Sequence, residues 1–424
     1  MNNKPDISYN PFFKRILIFK NSILLKVVCV AVLCLSSAVG HATSDASGKW
    51  VGTWSTAPQL VEPANMPPVP GLTNSTLRQV VRVSIGGDSL RIGFSNEFST
   101  GSVTMKAVHI AVSTGGSMID AGTAKALKFN GQEAVTLSQG AAITSDPIAF
   151  ALKPRMDIAI TISFGQTSPD VTGHPGSRTT SYLLAGDKAS AIDFTGAIHT
   201  DHWYVIHGID VKAHHSQSGA VAILGNSITD GRGSGTNKQN RWPDILSERL
   251  LKNGKTCEVG VLNLGIGGNC VLRNCLGPSG LSRFNKDLLT RQGVRWVIVA
   301  EGINDLGQTP DSAVASQVAA ELIAAYKQMI DDAHALGMKV YGATIMPFKR
   351  SFYDTPYRES ARNKVNDWIR AGGNFDAVID FDLAMRDPND TLCILPAAHS
   401  GDFLHPNEAG YIMMGEAVDM KLFE

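Results

Sequence analysis

Cysteine is scarce in this chain of 424 residues: there are six, and two of them (Cys29 and Cys34) lie in an apolar N-terminal stretch. The other four, Cys257, Cys270, Cys275 and Cys393, form no C-x-x-C pair, which excludes the usual zinc-ribbon type of site. An excess of either charge is also missing. Lys plus Arg equals Asp plus Glu at 38 each, so nothing marks the chain for a nucleic-acid backbone. No apolar run reaches the ~20 residues needed to cross a bilayer core. Internal repeats are absent, and so is a Walker pattern. Gly265-Ile266-Gly267-Gly268 does not complete the dinucleotide pattern at its last glycine position. What is present is the composition of a packed globular protein, 43% hydrophobic and 18% charged.

The N-terminus reads as a targeting segment. Lys14, Arg15, Lys20 and Lys26 give a positive flank, residues 27–39 are apolar or small, and Ala38-Val39-Gly40-His41-Ala42 offers small residues for cleavage. A signal peptide over residues 1–42 is expected, with a secreted or periplasmic product and no integral membrane span once it is removed; an uncleaved anchor is the alternative. Removing five basic groups and one acid leaves a mature net charge of −4.

The chain changes character near residue 215. Before it come short alternating runs, such as residues 77–83, 89–94 and 157–162, punctuated by Gly86-Gly87, Gly115-Gly116 and Asn130-Gly131. This predicts an antiparallel β-sandwich (jelly-roll-like) over residues 43–215, including the linker, with no helix of ordinary length. After it, a continuous apolar run at 221–224 and strand-like segments at 259–264, 296–300, 340–345 and 377–381 alternate with helical stretches, among them 242–251 and 313–336. That order predicts an α/β domain over 216–424, a parallel sheet with helices on both faces. His214 and His215 fall in the linker, where a solvated role outweighs metal binding. Trp203 and Tyr204 could stack on sugars, but their alternation with Val205 and Ile206 favours the core. His174, Arg178 and Tyr182 sit in a Gly/Pro/Ser/Thr-rich stretch within possible reach of a cleft.

In an open parallel sheet, functional groups gather on the loops at the carboxyl edge. Four of those loops carry reactive residues: Gly225-Asn226-Ser227-Ile228-Thr229-Asp230-Gly231, Asn263 to Asn269, Glu301-Gly302-Ile303-Asn304-Asp305, and Asp402-Phe403-Leu404-His405. Each alone has a bland reading: a turn, a helix cap, a solvated histidine. The four in this order do not. A serine hydroxyl needs a base, a histidine can take its proton and return it, and an aspartate can orient the imidazole. Thr229 stands where a nucleophile elbow needs glycine, so this is not the α/β-hydrolase motif.

These blocks resemble those of the SGNH hydrolases, also called the GDSL esterase/lipase family, over roughly residues 219–424. The resemblance implies a flavodoxin-like three-layer α/β/α fold and a serine esterase with Ser227 as nucleophile, His405 as base and Asp402 as its orienting acid. The oxyanion donors would be Ser227, Gly268 (placed five residues after Asn263, with Gly267 as the fallback) and Asn304. No metal or cofactor is implied. Asn226 replaces the usual aspartate before the serine. The likeness is greatest to extracellular bacterial esterases with an N-terminal β-domain, which favours short-chain or O-acetyl esters of carbohydrates, small or polymeric. Aryl or lipid esters are the alternative, and a non-catalytic carbohydrate-binding protein is the reading from another class. Oligomeric state is left open.

The cysteines follow from strand placement. Cys257 precedes the second parallel strand, at the edge opposite the reactive loops. A strand of about six residues puts it roughly 20 Å from the other three, which share the reactive edge with Cys393 in the loop leading to Asp402, and a disulfide bridges only ~7 Å. Cys257 is expected to be free, with Cys270–Cys275 favoured over Cys275–Cys393.

Overall fold

The N-terminal region is strand after strand because its β-branched runs are short and its turns are built for reversal. A computed structural model describes residues 48–215 and 217–424; the expected signal peptide lies outside the described residues. The six longest strands before residue 215 are β1 (Trp50–Ser55), β2 (Ser75–Arg82), β3 (Gly87–Ser95), β4 (Val103–Gly115), β5 (Asp157–Phe164) and β6 (Ile206–Lys212). They belong to two antiparallel sheets. One runs β1–β6–β3 and on to Ile148–Leu152; the other runs from Ser181–Ala185 through β2 and β5 to β4. Gly115, Gly116, Asn130 and Gly131 all adopt positive φ at their turns. Among the described residues of this region, the helices are two 3-10 turns of three residues.

One strand departs from the alternating pattern. Seven consecutive residues of β5, Ile158 to Phe164, are buried. Ile158, Ile160 and Ile162 face the core, while the opposite face is covered by the chain around Ala191 and Phe194. Arg78 pins that cover: its guanidinium lies 4.0 Å from the Phe194 ring and donates to Thr161 Oγ1 and to the carbonyls of Ser117, Ala191 and Ile192. Burial pulls the Arg78 pKa down to about 10, with Asp193 opposing. Alternation in sequence could not reveal a face covered by a distant loop.

The second half forms a five-stranded parallel sheet from β7 (Gly219–Gly225), β8 (Val259–Gly265), β9 (Val294–Ala300), β10 (Lys339–Ala343) and β11 (Ala377–Ile379), in the order β8–β7–β9–β10–β11. All seven residues of β7 are buried, as a central strand requires. The main helices are α1 (Ser227–Asp230), α2 (Trp242–Lys252), α3 (Ser312–His334), α4 (Pro356–Arg370) and α5 (Glu408–Ala417). Asp311 caps α3 by accepting from Val314 N at 2.9 Å, and Ala315, Val318, Ala319, Leu322, Tyr326 and Met329 bury one stripe at helical spacing. The predicted run 377–381 stops early: Asp380 accepts from Leu383 N and starts a helix at Phe381.

The N-terminal region covers the β8 edge of this sheet. Val261 N donates to Ser84 Oγ at 3.0 Å, so an edge group that would otherwise invite pairing is satisfied. One hydrophobic cluster runs through both halves, from Val51 to Phe423, and residues 48–424 form one compact unit.

Candidate active site

Strand register brings three loops together. Gly225 of β7 stands opposite Gly265 of β8 and Ala300 of β9, so the three strands end at one level. The chain leaves β7 for α1, and its neighbours on either side depart in different directions, opening the crevice typical of a topological switch point. Ser227, Gly268 and Asn304 follow these strand ends by two, three and four residues. A Cβ at Gly225 would stand 2.2 Å from Thr229 Oγ1, so only glycine lets the strand turn this sharply into α1.

Ser227 is the first residue of α1, and Asn226 caps it by accepting from Ile228 N at 3.0 Å. The amide thus performs the capping that an aspartate would. Behind it Glu301 is buried, and burial pushes its carboxyl well above the usual range against the pull of Arg283. The Ser227 hydroxyl lies 2.8 Å from His405 Nε2, and His405 Nδ1 lies 2.6 Å from Asp402 Oδ2. Asp402 and His405 share a loop just before α5, with Phe403 at φ +56 making the turn between them. The other Asp402 oxygen accepts from the backbone of Leu404 at 3.0 Å and His405 at 2.9 Å. Burial would raise the Asp402 carboxyl, but those amides and the imidazole outweigh it and bring it down to about 2. His405 moves down from its ordinary value, chiefly through burial and further through Arg232 and Arg178, with Asp402 opposing. A low imidazole pKa keeps Nε2 free to accept the serine proton.

Gly268 sits at φ +71, where a side chain would be strained. Its loop is tied down at several points. Cys270 and Cys275 are joined by a disulfide with Cα atoms 5.7 Å apart. Asp305 accepts from Val271 N and Leu272 N at 2.8 and 3.0 Å. Asn269 donates to the carbonyls of Leu276 and Pro278. Arg283, 1% exposed, binds Asn269 Oδ1 and the carbonyls of Leu264 and Gly225, locking two strand ends to this loop. Asn304 donates from Nδ2 to Asn269 O at 2.7 Å and accepts at Oδ1 from the Tyr353 hydroxyl at 3.0 Å. The Tyr353 bond fixes which end of the amide faces the serine.

These groups line one cleft of about 440 Å³: Ser227, Gly267, Gly268, Asn304 and His405 on one side, and Gln59, Glu62, Asn65, Arg178 and His202 from the N-terminal region on the other. All five residues singled out in the sequence are therefore together. Of the three N-terminal candidates, Arg178 lines the cleft and His174 lies beneath it, bonded through Nε2 to Asp230 at 2.8 Å. Tyr182 does not reach it; its ring packs edge-on to His199 at 5.0 Å. Trp203 and Tyr204 are core residues, 2% and 0% exposed. Cys257 and Cys393 are free thiols. Cys393 sits in a hairpin strand, Asp390–Ile394, near Lys349, not in the loop before Asp402. Sequence reasoning missed Tyr353, Arg283, Arg232 and Asp230, because each acts through a contact distant in sequence.

A serine, an imidazole and a carboxylate in hydrogen-bonded series on the carboxyl edge of a parallel sheet are equipment for acyl transfer. Residues 223–412 match the model of the GDSL-like Lipase/Acylhydrolase family, and with this site the domain is that of a carboxylic ester hydrolase. Among solved structures, the chain is similar to a G-D-S-L family protein from Desulfitobacterium hafniense DCB-2 (21% identity, covering 47% of this chain and 96% of that one, TM-score 0.35). It is similar also to an acylhydrolase-type protein from Bacteroides fragilis NCTC 9343 (19% identity, 50% and 91% covered, TM-score 0.37). A third is an acetylxylan esterase from Geobacillus stearothermophilus (20% identity, 47% and 92% covered, TM-score 0.36). No curated protein matches.

Proposed function

We propose that this enzyme hydrolyses short-chain or O-acetyl esters of carbohydrates through an acyl-enzyme on Ser227. The observation that carries the reading is the series Asp402–His405–Ser227, bonded at 2.6 and 2.8 Å, opening on the cleft. His405 accepts the Ser227 proton as Oγ attacks the ester carbonyl carbon. Negative charge then collects on the carbonyl oxygen, which accepts from the N–H groups of Ser227 and Gly268 and from the Asn304 amide. Ser227 N–H is available because the first N–H groups of a helix have no partner within it. Collapse expels the alcohol, which takes the proton back from His405. Water repeats the sequence and frees the acid, with Asp402 holding the imidazole throughout.

The carbohydrate preference is supported by the polar wall of Gln59, Glu62, Asn65, Arg178 and His202. The second reading, aryl or lipid esters, is favoured by Phe352 and Leu276, which are 69% and 47% exposed beside the same cleft. We take the fold to be a flavodoxin-like three-layer α/β/α domain over 216–424, preceded by a β-sandwich over 43–215. We take the protein to be secreted or periplasmic, in keeping with its basic-then-apolar N-terminus and its disulfide. The test is turnover of p-nitrophenyl acetate and acetylated xylan by wild type and Ser227→Ala. Wild type should hydrolyse both and the variant neither, while their melting temperatures agree. Near-normal turnover by the variant sinks the mechanism, and activity confined to long-chain glycerides moves the substrate to the second reading.

A further inference from the structure

The cleft contains two guanidinium groups that ester hydrolysis itself does not use. Arg178 comes from the N-terminal region and Arg232 from the turn after α1, and both line the cleft beside Ser227 and His405. The Arg232 backbone is fixed: its N–H donates to Ser227 O at 2.8 Å, and its carbonyl accepts from the Tyr411 hydroxyl at 2.7 Å. Its side chain is exposed, and among the described residues it has no ion-pair or hydrogen-bond partner.

Arg178 is held at a cost. Its backbone adopts φ +51, and its Nε is buried without a hydrogen-bond partner. Its one ion-pair partner among the described residues, Asp230, is 3.8 Å away and already bonded to His174 at 2.8 Å. A left-handed backbone and an unpaired buried donor both oppose folding. Such costs collect where a ligand recovers them. The cleft acids do not fill the vacancy on these cations. Both Glu62 oxygens are engaged, by Gln59 Nε2 at 2.5 Å and Asn65 Nδ2 at 3.0 Å. Asp402 is turned to His405 and its neighbouring amides.

Position says which part of the substrate these cations meet. The turn that carries Arg232 packs on the loop that carries His405, where a Cβ on Gly233 would stand 2.2 Å from Pro406 O, and Arg178 lines the same cleft; the imidazole beside them is the group that protonates the leaving alcohol. A negative group met there belongs to the alcohol, not to the acyl chain. Guanidinium is the side chain that best holds a carboxylate, through paired N–H donors.

We propose that Arg178 and Arg232 form a subsite for a carboxylate on the alcohol part of the ester, so that the preferred substrate is an O-acylated acidic sugar, a uronic acid residue, over its neutral counterpart. This deepens the esterase reading above and rests on it for the placement of the alcohol. The probe is an O-acetylated methyl galacturonoside, compared with its C6 carboxamide, which keeps the shape and removes the charge. Binding to Ser227→Ala, followed by calorimetry, needs no turnover. The acid should bind at least about tenfold tighter than the amide, as charge-assisted bonds allow. Adding Arg232→Ala should bring the ratio close to one, Arg178→Gln should reduce it, and Arg232→Lys should retain part of it. Equal binding of acid and amide, binding of neither, or a preference that survives Arg232→Ala would each overturn the subsite. Failure of the esterase reading would show separately, as a wild type that cannot hydrolyse p-nitrophenyl acetate.

Discussion

Tyr353→Phe tests whether the Asn304 amide must be held in one orientation. The tyrosine hydroxyl donates to Asn304 Oδ1 at 3.0 Å, and Asn304 Nδ2 donates to Asn269 O at 2.7 Å. Together they leave the second N–H of the amide for the oxyanion. Removing the hydroxyl leaves Nδ2 in place but lets the amide rotate or flip. A neutral hydrogen bond contributes a net ~0.5–1.5 kcal/mol, so kcat should fall about two- to tenfold if the bond serves only to orient. Asn304→Ala removes the donor itself and should cost about a hundredfold or more in kcat. The two effects are not independent. Once Asn304 is gone, Tyr353 has nothing to orient, so Asn304→Ala/Tyr353→Phe should be no slower than Asn304→Ala alone. A double-mutant cycle on kcat for p-nitrophenyl acetate reads this coupling. Melting curves run beside it remove any share due to unfolding, since both residues are largely buried. If the losses simply multiply, Tyr353 acts by another route and the orientation argument is wrong.

Two further predictions concern pH and the disulfide. Burial lowers the His405 pKa, so the acid limb of kcat/KM should have its midpoint below the ordinary histidine value of about 6.5. Asp402→Asn removes the charge that opposes this, so its limb should move to still lower pH beneath a reduced plateau. A wild-type limb above that value would refute the assignment of His405 as a buried neutral base. Asp402 is linked to stability as well: its carboxyl is depressed to about 2, so its contribution to stability is complete above the unfolded value near 3.9 and is lost as pH falls from there towards 2. The Cys270–Cys275 bond closes a very short loop, for which chain entropy allows only about 2 kcal/mol. Reduction should therefore lower kcat, through the loop that carries Gly268, by a larger factor than the small fall in melting temperature implies. Unchanged kcat after verified reduction would show that Asn269, Asp305 and Arg283 hold the loop unaided.

Much of the architecture was legible because the period of the side chains changes with the fold. Largely apolar segments marked the five parallel strands, most clearly β7, which is buried throughout and has no polar face to show. Ser227, Asn304 and the pair Asp402/His405 stood just after strand ends or on one short loop, and the family resemblance singled them out there. Cys270 and Cys275, five residues apart, could be paired on reach. The ends of strands were less clear: the run at 377–381 became a strand of three residues and a helix, because the Asp380 side chain caps that helix. Cys393 was misplaced because its hairpin strand, Asp390–Ile394, has only five residues, too few to show a period.

By itself, then, the sequence determined which strands carry reactive residues at their ends, because local spacing and periodicity suffice for that. Only the tertiary structure decided what surrounds them. It brought Arg178 from the N-terminal region into the cleft and joined His174 to Asp230 across 56 residues. It placed Tyr353 against Asn304 across 49 residues, and Arg283 against the ends of β7 and β8. Such contacts join positions with no common period. They arise from the way strands end level and loops fold back over them, and no local pattern encodes that.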